Sequence, residues 1–81
     1  MLSDLVREKV LQGLPDSSVT VQGDGSRMEI TVVSEAFDNQ SRVVRQQLVY
    51  ACIGDLIREG TVHAVTISAL CPTEEQQPGD G

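Results

Sequence analysis

The chain of 81 residues is acidic, with 12 aspartates and glutamates against 6 lysines and arginines and a formal net charge of −6. This length accommodates one domain with a small core, which argues against an elaborate enzyme pocket, and the negative charge argues against general attraction to phosphate backbones. Two cysteines are too few for a disulfide framework, and no apolar run approaches the roughly 20 residues that cross a bilayer. We therefore predict a soluble cytoplasmic protein, not bound to membranes, that is not an enzyme.

The first two predicted elements are a helix and a β-hairpin. Ser3 is the predicted N-cap of the helix, because apolar residues follow it at helical spacing, and Gly13 lies at the predicted end. Two alternating runs, residues 19–22 and 28–33, flank the Gly-Asp-Gly-Ser segment at residues 23–26. That segment is typical of a turn between antiparallel strands, and no helix follows it, as a phosphate-binding loop would require.

The second half of the chain predicts a long helix and a third strand. The helix should begin near Ser41 and run to Gly60, and the strand should cover residues 62–70. Strand two, this helix and strand three form a βαβ unit with parallel strands. The predicted fold is therefore α+β, in the order α-β-β-α-β, with a three-stranded mixed sheet covered by helices on one face. Residues 1–74 form the predicted domain, and residues 75–81 form a predicted disordered acidic tail.

Strand alternation assigns the two faces of the predicted sheet. Successive side chains of a strand point to opposite faces, so the apolar ones should meet the helices and the polar ones should meet solvent. The predicted covered set is Val19, Val21, Met28, Ile30, Val32, Val65, Ile67 and Ala69, and the open set is Thr20, Gln22, Glu29, Thr31, Thr66 and Ser68.

The single histidine, His63, is placed at the start of the third predicted strand. Imidazole is a frequent metal ligand and proton switch near neutral pH, although a lone histidine at a strand start is more often a hydrogen-bonded structural residue. Parallel pairing brings the start of strand three to the same end of the sheet as the hairpin loop, residues 23–27. His63 and this loop are therefore predicted to share a rim of the sheet.

The other chemically capable residues receive structural interpretations. Cys71 lies eight residues after His63, roughly 26 Å along an extended strand, so the two cannot share an ion. Cys52 is expected to pack in the core. Arg42 and Arg45 share a helix face by their spacing, which we interpret as a solvated face, with a nucleic-acid contact as the alternative.

Residues 37–50 carry the motifs Phe-x-x-x-Ser-Arg-Val and Gln-Gln-x-Val-Tyr. Together with the His-Ala-Val sequence at residues 63–65, they resemble the BolA family, and the Gly-Asp-Gly-Ser turn is similar to that of its short IbaG-like (YrbA-like) branch. The resemblance covers about residues 3–74. It implies a fold related to the class II KH domain, without the Gly-x-x-Gly loop that clamps nucleotides.

The resemblance also implies a function and a site. BolA-like proteins pair with monothiol glutaredoxins in iron–sulfur cluster assembly, trafficking or iron homeostasis, and the pair can hold a bridging [2Fe-2S] cluster together with glutathione. In that arrangement His63 matches the histidine that supplies one iron ligand, and Arg27 and His63 would contact the glutaredoxin. Alone, the protein would carry no cofactor.

The second family ligand, a cysteine or histidine of the hairpin loop, has no counterpart here. Asp24 and Arg27 occupy the relevant positions. Arginine has no lone pair to offer iron, and carboxylate is a harder ligand than thiolate or imidazole. Three outcomes are open: Asp24 ligates, glutathione or water completes the site, or the pair forms without a stable cluster and the protein is an interaction module.

The resemblance implies one further alternative, a DNA-binding transcriptional regulator of stress or morphology. It would use the second helix with Ser41, Arg42 and Arg45. The small number of basic residues predicts weak affinity for duplex DNA. A monomer or weak homodimer is expected in either case.

Overall fold

The computed structural model of the chain describes residues 2–24 and 26–73. It confirms the predicted α+β class and the order α-β-β-α-β, with a short 3₁₀ turn, Glu35–Phe37, before the second helix. The elements are α1 (Leu2–Gly13), β1 (Ser18–Asp24), β2 (Arg27–Val33), α2 (Arg42–Arg58) and β3 (Val65–Leu70). The predicted tail, residues 75–81, lies outside the described residues. No helix in the described part of the chain is long and apolar enough to cross a membrane.

The three strands form one mixed sheet in the order β1-β2-β3. β1 and β2 are antiparallel neighbours, whereas β3 pairs in parallel with β2, as the βαβ argument predicts. The register places Met28 opposite Val65 and Val33 opposite Leu70. β2 is therefore the central strand, and β3 has a neighbouring strand on one side only.

The core lies between the two helices and one face of the sheet. Every residue of the predicted covered set is in this core or packed against it, and in the open set only Thr31 is half-buried while the others are exposed. Phe37, from the 3₁₀ turn, is fully buried and adds an aromatic ring that the strand pattern did not predict. The largest fully buried side chains are Phe37, Met28, Ile30, Ile53, Val6, Val10, Val32, Val49 and Val62.

A serine cap and a left-handed glycine explain where α2 begins and ends. Ser41 is its N-cap, and the Ser41 hydroxyl accepts a hydrogen bond from the Val44 amide at 3.2 Å. After the last helical residue, Gly60 adopts φ +80°, a left-handed conformation that glycine adopts without a steric penalty. The amides of Thr61 and Val62 then donate to the Leu56 carbonyl at 3.0 and 3.2 Å.

The predicted starts of α1 and of the third strand are wrong. The prediction of Ser3 as an N-cap fails because α1 already begins at Leu2, whose side chain packs against the core. The third strand begins at Val65, three residues later than predicted, because Val62 serves the end of α2 instead. Val62 is 1% exposed and its amide completes the C-terminus of the helix, so its apolar side chain does not mark a strand.

Candidate functional site

His63 and the hairpin loop lie at the same end of the sheet, as predicted. The Met28 amide donates to the Ala64 carbonyl at 2.9 Å, which continues the parallel pairing of β2 and β3 by one step beyond Val65. The residues just before Met28 and just before Ala64 are therefore neighbours at this end. We call this surface the hairpin rim and define it as Ser26, Arg27 and the connector residues 61–64.

The His63 side chain is exposed, whereas its neighbour Val62 is buried. Val62 anchors the connector in the core, so the next side chain points outward. The imidazole lies beside Gly60, since a Cβ atom built on that glycine would be 3.9 Å from His63 Cε1. The connector thus presents the imidazole to solvent from a backbone that is fixed on both sides.

The hairpin is tighter than predicted. Asp24 pairs with Arg27, which leaves two residues between the strands instead of the five of the predicted loop, residues 23–27. Gly23 has φ +97°, and a Cβ atom there would collide with the carbonyl oxygen of Arg27. Only glycine fits this position without strain, which explains the first glycine of the turn. Arg27 is exposed on the rim.

The described side chains of the rim do not form a self-contained metal site. His63 offers one exposed imidazole, and Arg27 offers no lone pair. Within residues 2–24 and 26–73, no group of three or more histidine, cysteine, aspartate or glutamate side chains is arranged to hold a metal ion. The backbone of Asp24 is in β1, but its side chain lies outside the described part. Among the described side chains of the rim, His63 is therefore the candidate metal ligand.

Arg42 and Arg45 line a groove with a volume of about 660 Å³ between the start of α2 and β3. We call it the edge groove; its lining residues are Gln40, Arg42, Arg45, Gln46, Ile67, Ser68, Ala69 and Leu70. Arg42 is exposed, as a solvated face predicts. Arg45 is half-buried and donates to the Gln40 carbonyl at 3.0 Å and to the Ala69 carbonyl at 3.2 Å, so for this residue the solvated-face interpretation is wrong.

Gln46 is a residue of this groove that sequence reasoning missed. Its side-chain amide donates to the Ile67 carbonyl at 2.8 Å. Its position next to Arg45 on the predicted helix was visible in the sequence, but the acceptor is a backbone carbonyl on a strand 21 positions away. No sequence signal identifies such an acceptor.

The two cysteines are far from the hairpin rim. Cys71, just after β3, is 5% exposed and its sulfur lies 4.0 Å from the Thr73 hydroxyl. Cys52 packs against the core, and its thiol donates to the Leu48 carbonyl at 3.3 Å. Burial raises the pKa of the Cys52 thiol above its ordinary value of 9.0. Both observations agree with structural roles.

Comparison with known proteins gives consistent results. The profile of the BolA family, described as BolA-like protein, matches residues 10–74. The acid stress protein IbaG of Escherichia coli (strain K12) is 36% identical over 74 residues, which cover 91% of this chain and 88% of that protein. A bolA protein homologue from Coxiella burnetii superposes with a TM-score of 0.78 at 27% identity, over 89% of this chain and 92% of the other. The BolA domain of SufE1 from Arabidopsis thaliana gives 0.78 at 27%, over 90% and 94%.

Proposed function

The chain belongs to the BolA-like protein family, and from this premise we propose that it is a non-enzymatic adaptor that pairs with a monothiol glutaredoxin in iron–sulfur cluster assembly, trafficking or iron homeostasis. The observation that carries the proposal is the position of His63. Its imidazole is exposed at the hairpin rim, on a connector fixed by the buried Val62 and by the Met28 to Ala64 hydrogen bond. A side chain held in this way can reach a partner without refolding.

The cluster is the cargo of the proposed pair. Bound at the interface, it would provide transferable iron and sulfide, and His63 would supply one iron ligand from this chain. An imidazole must be neutral to bind iron, so protons compete with the metal and loading weakens as the pH falls. This dependence favours transfer over storage. It also agrees with a role in stress, since one relative of this chain is an acid stress protein.

Arg27, on the rim, and Asp24, its pairing partner at the end of β1, have different proposed roles. Arg27 is exposed beside the loop, and its fixed positive charge suits a carboxylate of the partner or of glutathione. Asp24 would supply a carboxylate oxygen as second ligand, which is a harder donor than clusters usually take. If Asp24 does not ligate, glutathione or water would complete the site. If no ligand completes it, the pair would form without a stable cluster.

Anaerobic reconstitution tests the proposal. The protein, a monothiol glutaredoxin, glutathione, iron and sulfide are mixed, and visible absorption and circular dichroism are recorded. We expect a spectrum that differs from that of the cluster-bridged glutaredoxin homodimer. His63→Ala should return the homodimer spectrum, His63→Cys should restore a mixed cluster, and Thr61→Ala, on the same connector, should change nothing. An unaltered spectrum with His63→Ala would exclude His63 as a ligand.

The same experiment separates the open outcomes for the second ligand. If Asp24 ligates, Asp24→Ala should alter the spectrum of the pair, whereas Asp24→Cys should strengthen its sulfur-to-iron absorption. If the pair forms without a cluster, size-exclusion chromatography should show the complex with no new absorption. We place the protein in the cytoplasm as a monomer or weak homodimer, which the same chromatography measures for the protein alone.

The DNA-binding alternative stays a prediction that no specific observation favours. Of its three residues, Ser41 caps α2 and Arg45 donates to two backbone carbonyls, so both already serve the fold. Arg42 alone is left as an exposed phosphate contact. We rank the adaptor function above DNA binding. A salt titration of duplex DNA binding tests this ranking, and sequence-specific binding at physiological salt would reverse it.

A further inference from the structure

The outer edge of β3 has a defined hydrogen-bonding pattern. Along a strand, the amide and carbonyl of each residue point to one side, and those of the next residue point to the other. The carbonyls of Ala64 and Leu70 accept from the amides of Met28 and Ser34, so these even-numbered positions face β2. The backbone groups of Ile67 and Ala69 therefore face away from the sheet, into the edge groove.

Side chains of α2 bind two of the four outward-facing backbone groups of Ile67 and Ala69. Gln46 and Arg45 donate to the outward carbonyls of Ile67 and Ala69, which leaves the outward amides of the same two residues facing the groove. Both charged residues that line the groove are arginines, and no acidic residue lines it within the described part of the chain. The edge groove is therefore positively charged and rich in hydrogen-bond donors, although the whole chain has a net charge of −6.

We propose that the edge groove binds an extended, acidic segment of a partner protein by strand addition to β3. Carbonyls of the added strand would accept hydrogen bonds from the amides of Ile67 and Ala69. Its acidic side chains would pair with Arg42 and Arg45. The groove follows β3 over residues 67–70, which corresponds to roughly 13 Å and a binding segment of about four residues.

Other occupants suit the groove less well. Single-stranded nucleic acid is usually held by aromatic side chains that stack on bases, and no aromatic residue lines the groove in the described part of the chain. A second copy of this chain would offer its own β3, Val-Thr-Ile-Ser-Ala-Leu, which carries no acidic side chain to pair with the arginines. Charge complementarity therefore selects an acidic peptide.

Arg45 and Gln46 have a second effect in this arrangement. An exposed strand edge invites unspecific pairing, and side chains that cover its carbonyls reduce that tendency. A partner strand would displace both side chains from the carbonyls of Ile67 and Ala69, and the displaced guanidinium would then face the acidic side chains of the partner. The groove thus excludes neutral strands and admits acidic ones.

The test uses the full chain alone and a nine-residue peptide of alternating glutamate and valine. Titration into ¹⁵N-labelled protein should shift the amide signals of Ile67 and Ala69, and a lysine-valine peptide of equal length should not. A glutamate-valine peptide with every backbone nitrogen methylated should bind roughly tenfold more weakly, because its amides can no longer donate to the carbonyls of Ile67 and Ala69 that Gln46 and Arg45 vacate. Circular dichroism of each protein variant verifies that the fold is retained.

A matched pair of variants isolates the contribution of the Arg42 charge to peptide binding. Arg42→Gln should weaken the glutamate-valine peptide roughly two- to fivefold, whereas Arg7→Gln, an equal charge change on the exposed surface of α1, should leave its affinity unchanged. Equal binding of the methylated peptide, equal effects of the two variants, or tighter binding of a nine-nucleotide oligothymidine would each overturn the proposal. No glutaredoxin or iron is present and His63 is not observed, so failure here is distinct from failure of the cluster proposal.

Discussion

The two ends of β3 hold their functional residues in opposite ways. At the hairpin rim, backbone hydrogen bonds and the buried Val62 fix the connector, while the His63 side chain contributes no described hydrogen bond to the fold. At the edge groove, the side chains of Arg45 and Gln46 themselves bind the backbone of β3. The exposed His63 side chain can therefore change with little effect on stability, whereas Arg45 and Gln46 of the groove combine a proposed binding role with a structural one.

The largest expected effect is the loss of stability on substituting Gly23, in the strand that leads into the hairpin turn. Gly23→Ala should lower the free energy of unfolding by about 2 to 3 kcal/mol, because alanine is strained at φ +97° and its Cβ meets the Arg27 carbonyl. Gly54→Ala is the control, since its Cβ meets only the mobile end of Arg58 and alanine favours the helix by about 1 kcal/mol. Urea unfolding measures both. Equal stability of the Gly23 variant and wild type would contradict the tight hairpin.

A smaller effect should separate the two arginines of the groove. Arg45→Met keeps the aliphatic stem but loses the hydrogen bonds to Gln40 and Ala69, and should cost about 1 to 2 kcal/mol. Arg42→Met, on the same turn and exposed, should change stability by less than about 0.5 kcal/mol. Urea unfolding of both variants gives the difference. Identical losses would mean that the connection between α2 and β3 does not depend on Arg45.

A still smaller effect is expected at the rim. His63→Ala should alter the free energy of unfolding by less than about 0.5 kcal/mol, since the side chain is exposed. The adjacent Val62→Ala should cost roughly 2 kcal/mol, because it removes two buried methyl groups. Thermal unfolding of the pair measures the contrast. A large loss with His63→Ala would assign the histidine a structural role.

The smallest expected effect is a pH dependence of stability caused by Cys52, which belongs to neither the hairpin rim nor the edge groove. Burial raises the pKa of the Cys52 thiol above 9.0, so the unfolded chain releases this proton before the folded chain does. The contribution of the thiol to stability is complete below pH 9.0 and decreases as the pH rises above it. Comparing wild type with Cys52→Ala in urea at pH 8 and pH 10 isolates this decrease. A stability difference between wild type and Cys52→Ala that shifts in favour of wild type at pH 10 would contradict the burial of the thiol.

The sequence predicts the fold well because the deciding signals are local. Alternation in β2, the glycine-rich turn and the Ser41 cap each act within a few residues, and the parallel pairing follows from their order. The start of β3 was mispredicted because an apolar residue before a strand, here Val62, can equally complete the preceding helix. The shared position of His63 and the loop was predictable from topology, whereas the groove depends on backbone acceptors at Ile67 and Ala69 that no residue type reveals.

The parallel pairing of β3 has a dynamic consequence. β3 lies at an edge of the sheet and is held there by one strand and by two side chains of α2, so a local opening of the native state can release it by breaking these connections. Such an opening would remove the carbonyl of Ala64 from Met28 and the amides of Ile67 and Ala69 from the groove in one event. The amides of Met28 and Ser34, which donate to the two ends of β3, would then exchange at a common rate, and a ligand bound in the edge groove would slow both.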